Sequence, residues 1–248
     1  MAGAGKKTFT AGEVLTASDV NTYLMEQSVM VFGGTAARAS AIPTPSTGMT
    51  SYIGVTGTAT IPQIETYTGS AWQTPYGLTL VATGTIGSGV TTFNMDNVFT
   101  SAFRNYQIVI NGAQTATIDG YLMQLRGAGT TLGGTGYFYS GIETQASGST
   151  ITQRLLNGGA NWRIGISSGT NAANSYNFNV DVFQPAIATA TNIFARATTR
   201  DSGALGNVYQ TMAGSNSSAV AYDGFTLSMS GAVTMTGGTV QVYGIRTT

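Results

Sequence analysis

The sequence predicts a mostly-β fold: a small N-terminal α+β region followed by an antiparallel, jelly-roll-like β-sandwich. Three observations carry this expectation. From Leu78 onward, short stretches alternate apolar and polar residues, and a period of two marks a half-buried strand. Clusters of Gly, Asn, Ser and Thr separate these stretches, as turns require. No stretch of helical period comes between them, which indicates antiparallel sheets in a sandwich or barrel rather than βαβ units.

Taken in order, residues 1–34 read as an arm and a helix. Met1–Lys7 is small and basic and reads as a mobile arm. Thr16-Ala17-Ser18-Asp19 matches a capping box, a hydroxyl followed three residues later by a carboxylate. Beyond it Val20, Tyr23, Leu24, Gln27 and Val31 recur at helical spacing. This predicts an amphipathic helix over about Ser18–Met30, stopped by Gly33-Gly34. Residues 35–77 form a small mixed module. Ala36–Ala41 allows one helical turn before Pro43, Met49–Val55 and Ile64–Tyr67 read as strands, Thr68-Gly69-Ser70 as a turn, and Ala71-Trp72 opens another strand. Such a module buries too little surface to stand alone and needs a partner chain or another part of this one.

Residues 78–248 form the sandwich. In Ser175–Phe183, Tyr176, Phe178, Val180 and Val182 alternate with Asn177, Asn179 and Asp181. Phe225, Leu227 and Met229 alternate with Thr226, Ser228 and Ser230, and Tyr121, Met123 and Leu125 lie opposite Leu122, Gln124 and Arg126. Leu80–Ile86, Tyr106–Asn111, Tyr137–Glu143, Trp162–Ser167, Ile193–Thr198, Val208–Met212 and Thr239–Ile245 complete the predicted strands. One helical turn is expected at Val98–Phe103, with Asn97 as its cap.

Composition excludes several functions. The chain has 248 residues, of which 8% are charged, against about 25% in an ordinary soluble domain. Ten basic and ten acidic residues cancel, and there is neither cysteine nor histidine. That excludes a disulfide framework, a thiol nucleophile, a Cys or His metal site and a Ser-His-Asp triad, so no cofactor or metal is expected. Zero net charge argues against nucleic acid as a partner. Apolar runs such as Val29–Phe32 are too short for membrane insertion, and no apolar stretch follows the two lysines as a secretory signal would need. So little charge leaves weak repulsion between copies, which suits a chain held in a larger assembly.

Candidate chemistry is sparse. A glycosidase needs only two carboxylates about 5–10 Å apart, but no motif marks a pair among Glu13, Asp19, Glu26, Glu65, Asp96, Asp119, Glu143, Asp181, Asp201 and Asp223. Gly127–Gly136 lacks the Gly-Lys-Ser/Thr ending of a phosphate loop and reads as a flexible connection. The expectation is therefore a protein that is not an enzyme. Tyr137-Phe138-Tyr139 allows two readings. If Phe138 is core, Tyr137 and Tyr139 form an exposed platform that stacks on sugars or protein; otherwise one face is core and the other a subunit interface, the default here. For Trp72 and Trp162 burial is the default.

A family resemblance lies in Phe9-Thr10-Ala11-Gly12-Glu13-Val14-Leu15-Thr16-Ala17-Ser18-Asp19-Val20-Asn21-Thr22-Tyr23-Leu24-Met25, which resembles the opening phrase of many bacteriophage tail appendage proteins. It continues through Ala36-Ala37-Arg38, Ile42-Pro43-Thr44-Pro45, Gly48-Met49 and Tyr67-Thr68-Gly69-Ser70-Ala71-Trp72. More loosely, it extends to Phe99–Tyr106 and the closing Val242-Tyr243-Gly244-Ile245-Arg246, which look like phage fibre heads. The resemblance implies a virion structural protein, a tail fibre or tail-tip component assembled in the host cytoplasm and carried on the extracellular particle. It implies attachment to other virion proteins through the N-terminal region, with Phe9, Val14, Leu15, Val20, Tyr23 and Leu24 as attachment residues. The C-terminal sandwich would then meet a host-surface glycan or protein, with Tyr137 and Tyr139 as candidate contacts, and three-fold symmetry implies a homotrimer. Similar modules also serve as head fibres and capsid decorations, so a purely structural role is the alternative.

Overall fold

The structure is a computed structural model and describes residues 10–20, 29–54, 63–74, 77–112, 114–115, 117–148, 150–167, 175–200 and 206–245. Contacts divide the chain into two compact units, Met1–Gly77 and Leu78–Thr248. The protein is mostly β and its large sheets are antiparallel.

In the first unit, α1 (Ala17–Asp19) follows the Thr16 cap, β1 (Met30–Phe32) leads into α2 (Thr35–Ala41), and β2 (Thr50–Ile53), β3 (Gln63–Tyr67) and β4 (Trp72–Gln73) follow. The sheet order is β1-β2-β3-β4. β1 runs parallel to β2. Parallel neighbours need a crossover, and α2 lies in that connection. This corrects the C-terminal end of the expected helix Ser18–Met30, of which residues 21–28 lie outside the described residues. Met30 opens a strand, because Met30, Val31 and Phe32 pair with Ser51, Tyr52 and Ile53, and pairing of three successive apolar residues outweighs a helical spacing that happened to include Val31. At Gly69 the backbone is left-handed, with φ 98°, which turns β3 into β4. Inside this unit the buried Arg38 pairs with the buried Glu65, and the Arg38 guanidinium lies 4.5 Å over the Trp72 ring.

The second unit holds β5 (Leu78–Thr85), β6 (Thr92–Met95), β7 (Asn105–Asn111), β8 (Gln114–Thr115), β9 (Gly120–Gly127), β10 (Thr130–Thr131), β11 (Tyr137–Gln145) and β12 (Thr150–Gly159). It continues with β13 (Trp162–Ile166), β14 (Ser175–Phe183), β15 (Thr191–Arg200), β16 (Asn207–Asn216), β17 (Gly224–Met229), β18 (Met235–Thr236) and β19 (Thr239–Ile245). An eight-stranded sheet runs in the order β12-β11-β16-β15-β14-β7-β19-β5. A five-stranded sheet runs β10-β9-β17-β6, with β13 also on β9. Alternation fixes which face is buried: in β15, Thr191, Ile193, Ala195, Ala197 and Thr199 are buried and the residues between them exposed.

The two sheets share one apolar core. Tyr121 of β9 meets Phe178 of β14 with ring centroids 4.8 Å apart. Trp162 is fully buried, stands edge-on to Tyr137 at 5.0 Å and donates its indole N–H to the Ser215 carbonyl at 3.0 Å. Gly165 lets β13 come this close, since a Cβ there would sit 2.1 Å from the Phe178 ring. The helical turn expected at Val98–Phe103 does not form. Asn97 is left-handed, with φ 58°, and the next two N–H groups, of Val98 and Phe99, both donate to the Asp223 carbonyl at 2.8 and 2.9 Å. A contact distant in sequence thus replaces local helix bonding.

Candidate functional site

Two short turns, each closed by a carboxylate, shape the N-terminal segment. The Thr10 N–H donates to Glu13 Oε2 at 3.1 Å. At the capping box, the Asp19 N–H donates to Thr16 Oγ1 at 3.1 Å while the Thr16 N–H donates to Asp19 Oδ2 at 3.2 Å, so two end donors of the helix are satisfied reciprocally. Between the turns Val14 is 80% exposed and Leu15 47%. Val20 is half-buried. Phe9, Tyr23, Leu24 and the arm of residues 1–7 lie outside the described residues.

The aromatic triad is arranged opposite to the platform reading. Tyr137 is 1% exposed. Its hydroxyl donates to the Leu132 carbonyl at 2.8 Å and accepts the Leu125 N–H at 2.9 Å, and burial pushes that hydroxyl's pKa up to about 12. Tyr139 shares its face and packs against the core. Tyr137 therefore ties the two sheets together and offers no stacking surface, whereas Tyr139 is half-buried and lines a surface groove. The reason is register: Tyr137 and Tyr139 lie opposite Asn216 and Gly214 of β16, on the inner face that also carries the buried Met212. Phe138 takes the outer face, opposite Ser215. Its ring lies between a groove of about 530 Å³, lined also by Gly134, Gly136, Ser217, Ser218 and Tyr222, and a shallower one of about 380 Å³. Neither groove has a charged lining residue, which suits neutral polar groups.

The sharpest electrostatic feature is one the sequence reasoning missed. Glu143 on β11 is fully buried. Arg154 of β12 donates to it through two nitrogens, at 2.9 and 3.0 Å. Gln145 donates at 2.7 Å, Gln210 donates from β16, and Arg163 stands 3.7 Å away. Burial alone would raise the Glu143 pKa. The Arg154 and Gln145 hydrogen bonds and the charges of Arg154 and Arg163 outweigh it, and the carboxyl stays below its usual range. Asp119 is likewise held down against burial by Ser230, by the Gly120 and Gly231 N–H groups and by Arg163. Both stay ionised at neutral pH, whereas a general acid needs a raised pKa. The sequence signal for Glu143 was its parity with Tyr137 and Tyr139, which put it on the inner face.

The other described acids are also engaged: Asp96 with Arg126, Asp181 with Arg196, and Asp223 with the Ala128 N–H. Among the described residues no group of acidic side chains gathers as a metal site, and no helix is long and apolar enough to cross a membrane. Comparison with protein-family models, with curated proteins and with solved structures finds no match.

Proposed function

We propose that this chain is a bacteriophage virion protein, a tail fibre or tail-tip component that attaches by its N-terminal region and presents the second unit to the host surface as a homotrimer. The reading gives it no enzymatic role. One observation carries it: the phrase from Phe9 to Met25. In the described part of that phrase, Val14 and Leu15 stand in water beside a capped turn. Two large apolar side chains exposed in a chain with 8% charge call for a covering surface, and the neighbouring virion protein supplies it. The outer end presents neutral grooves around Phe138, and many copies per particle raise avidity without new contacts.

The test is Leu15→Asp, imaged on assembled particles. Because Leu15 is exposed, the substitution shifts folding stability by less than about 0.5 kcal/mol, while particles lose the protein. Normal incorporation of the variant overturns the attachment role. Wild-type particles incubated with host cells test the other end. If the second unit is exposed on the virion yet neither it nor clustered copies bind cells, the protein is a head fibre or capsid decoration with a structural role alone.

A further inference from the structure

β12 is a long strand at the end of its sheet order. It pairs with β11 in constant register from Thr150 to Asn157, and among the described residues no strand pairs with its other side. Edges are normally blunted by Lys, Pro, a bulge or an inward-pointing charge that pairing would strand. β12 has no Lys and no Pro. Its irregularity lies beyond Asn157, where Gly158 has φ 82°. Its one charge, Arg154, points inward but is already matched by Glu143, so a covering strand would bury a paired ion rather than a naked one. On the outer face Ile151 is 70% exposed and Leu155 61%, beside the exposed Ile142 of β11.

We propose that this edge pairs antiparallel with β12 of a second copy, centred on Gln153. The strand is self-complementary at that register. Ile151 of each copy lies opposite Leu155 of the other on the outer face, and Arg154 lies opposite Thr152 on the inner face. Centring on Arg154 would oppose two guanidinium groups, which destabilises a cross-strand pair. Centring on Leu155 would draw left-handed Gly158 into the ladder and leave Ile151 against Gly159. A contact in which the same strand meets itself is two-fold and closes after two copies. It joins two second units, or two trimers carrying them, and does not depend on the attachment reading.

The full chain tests it, by sedimentation over a range of concentrations and by cross-linking. Wild type doubles in mass as concentration rises, whatever the mass of the smaller species. Leu155→Lys, at an exposed position, weakens that doubling roughly tenfold or more by placing a charge opposite Ile151. The chain has no cysteine, so Gln153→Cys carries a single thiol, and a short bis-maleimide links it into covalent pairs. Asn192→Cys, on the same outer face but away from the edge, is not linked. No doubling of the wild type, doubling that survives Leu155→Lys, or equal linking of both cysteine variants each overturns the proposal.

Discussion

The two units of this chain are held together by different physics. Among the described residues of Met1–Gly77, the buried side chains are Arg38, Ser51, Ile53 and Glu65. Only one of these is apolar, and the strands there are two to five residues long. In Leu78–Thr248, strands of up to ten residues bury a continuous core of aromatic and aliphatic side chains. Burial of apolar area contributes about 25 cal/mol per Å² without regard to direction, whereas a buried ion pair is neutral at best against a well-packed apolar alternative and costly once broken. The second unit is therefore built for stability by area. The described part of the first is built around one matched pair, and it gains most from any further apolar surface that covers it.

Substitutions sharpen this contrast. Trp162→Ala removes the largest fully buried side chain of the second unit and leaves the Ser215 carbonyl without its indole donor. It should cost about 3–5 kcal/mol, seen in denaturant titration as an earlier loss of the second unit's tertiary signal. Arg38→Ala leaves Glu65 buried without its partner and should cost about 3 kcal/mol. That loss should register in amide exchange across β2 and β3 and leave β14 and β15 unchanged. Equal loss of protection in both regions would show the two units to be one cooperative body.

The smallest effect at neutral pH concerns titration. The folded pKa values of Glu143 and Asp119 lie below their ordinary values of 4.5 and 3.8. Their contribution to stability is therefore complete above those values and drains away as pH falls through the folded ones. Thermal melts of the second unit should be flat from neutral pH down to about pH 5 and should fall steeply below it. Glu143→Gln should make the acid limb shallower, and an unchanged slope would remove Glu143 from the account.

Much of the fold was legible because alternation survives burial. Ser175–Phe183 has the predicted bounds and faces, and Thr239–Ile245 runs as predicted. What escaped was set by contacts remote in sequence. β12 was not predicted because Leu155 and Leu156 break its alternation and Arg154 points inward to Glu143. The turn after Asn97 owes its shape to the Asp223 carbonyl, over a hundred residues away. Met30 reads equally as the end of a helix or the start of a strand until Ser51 is placed beside it. Of the candidate site, the cap at Thr16 was readable because it is local. The parity of Tyr137, Phe138 and Tyr139 was readable too, but which face was core was not, since both faces carry aromatics.

The place of β19 orders events in time as well as in space. This strand, the last of those described, lies between β7 and β5, and among the described residues no other strand pairs with β5 in the eight-stranded sheet. During synthesis β5 emerges early and stays without a neighbour until Thr239–Ile245 has been made. The second unit thus completes this sheet only after Ile245 has been made, and pairing over such sequence separations is slow. A chain cut short before β19 leaves the pairing edges of β5 and β7 open to chaperones and proteases. Open strand edges of this kind set copies that lack β19 apart from those that have it.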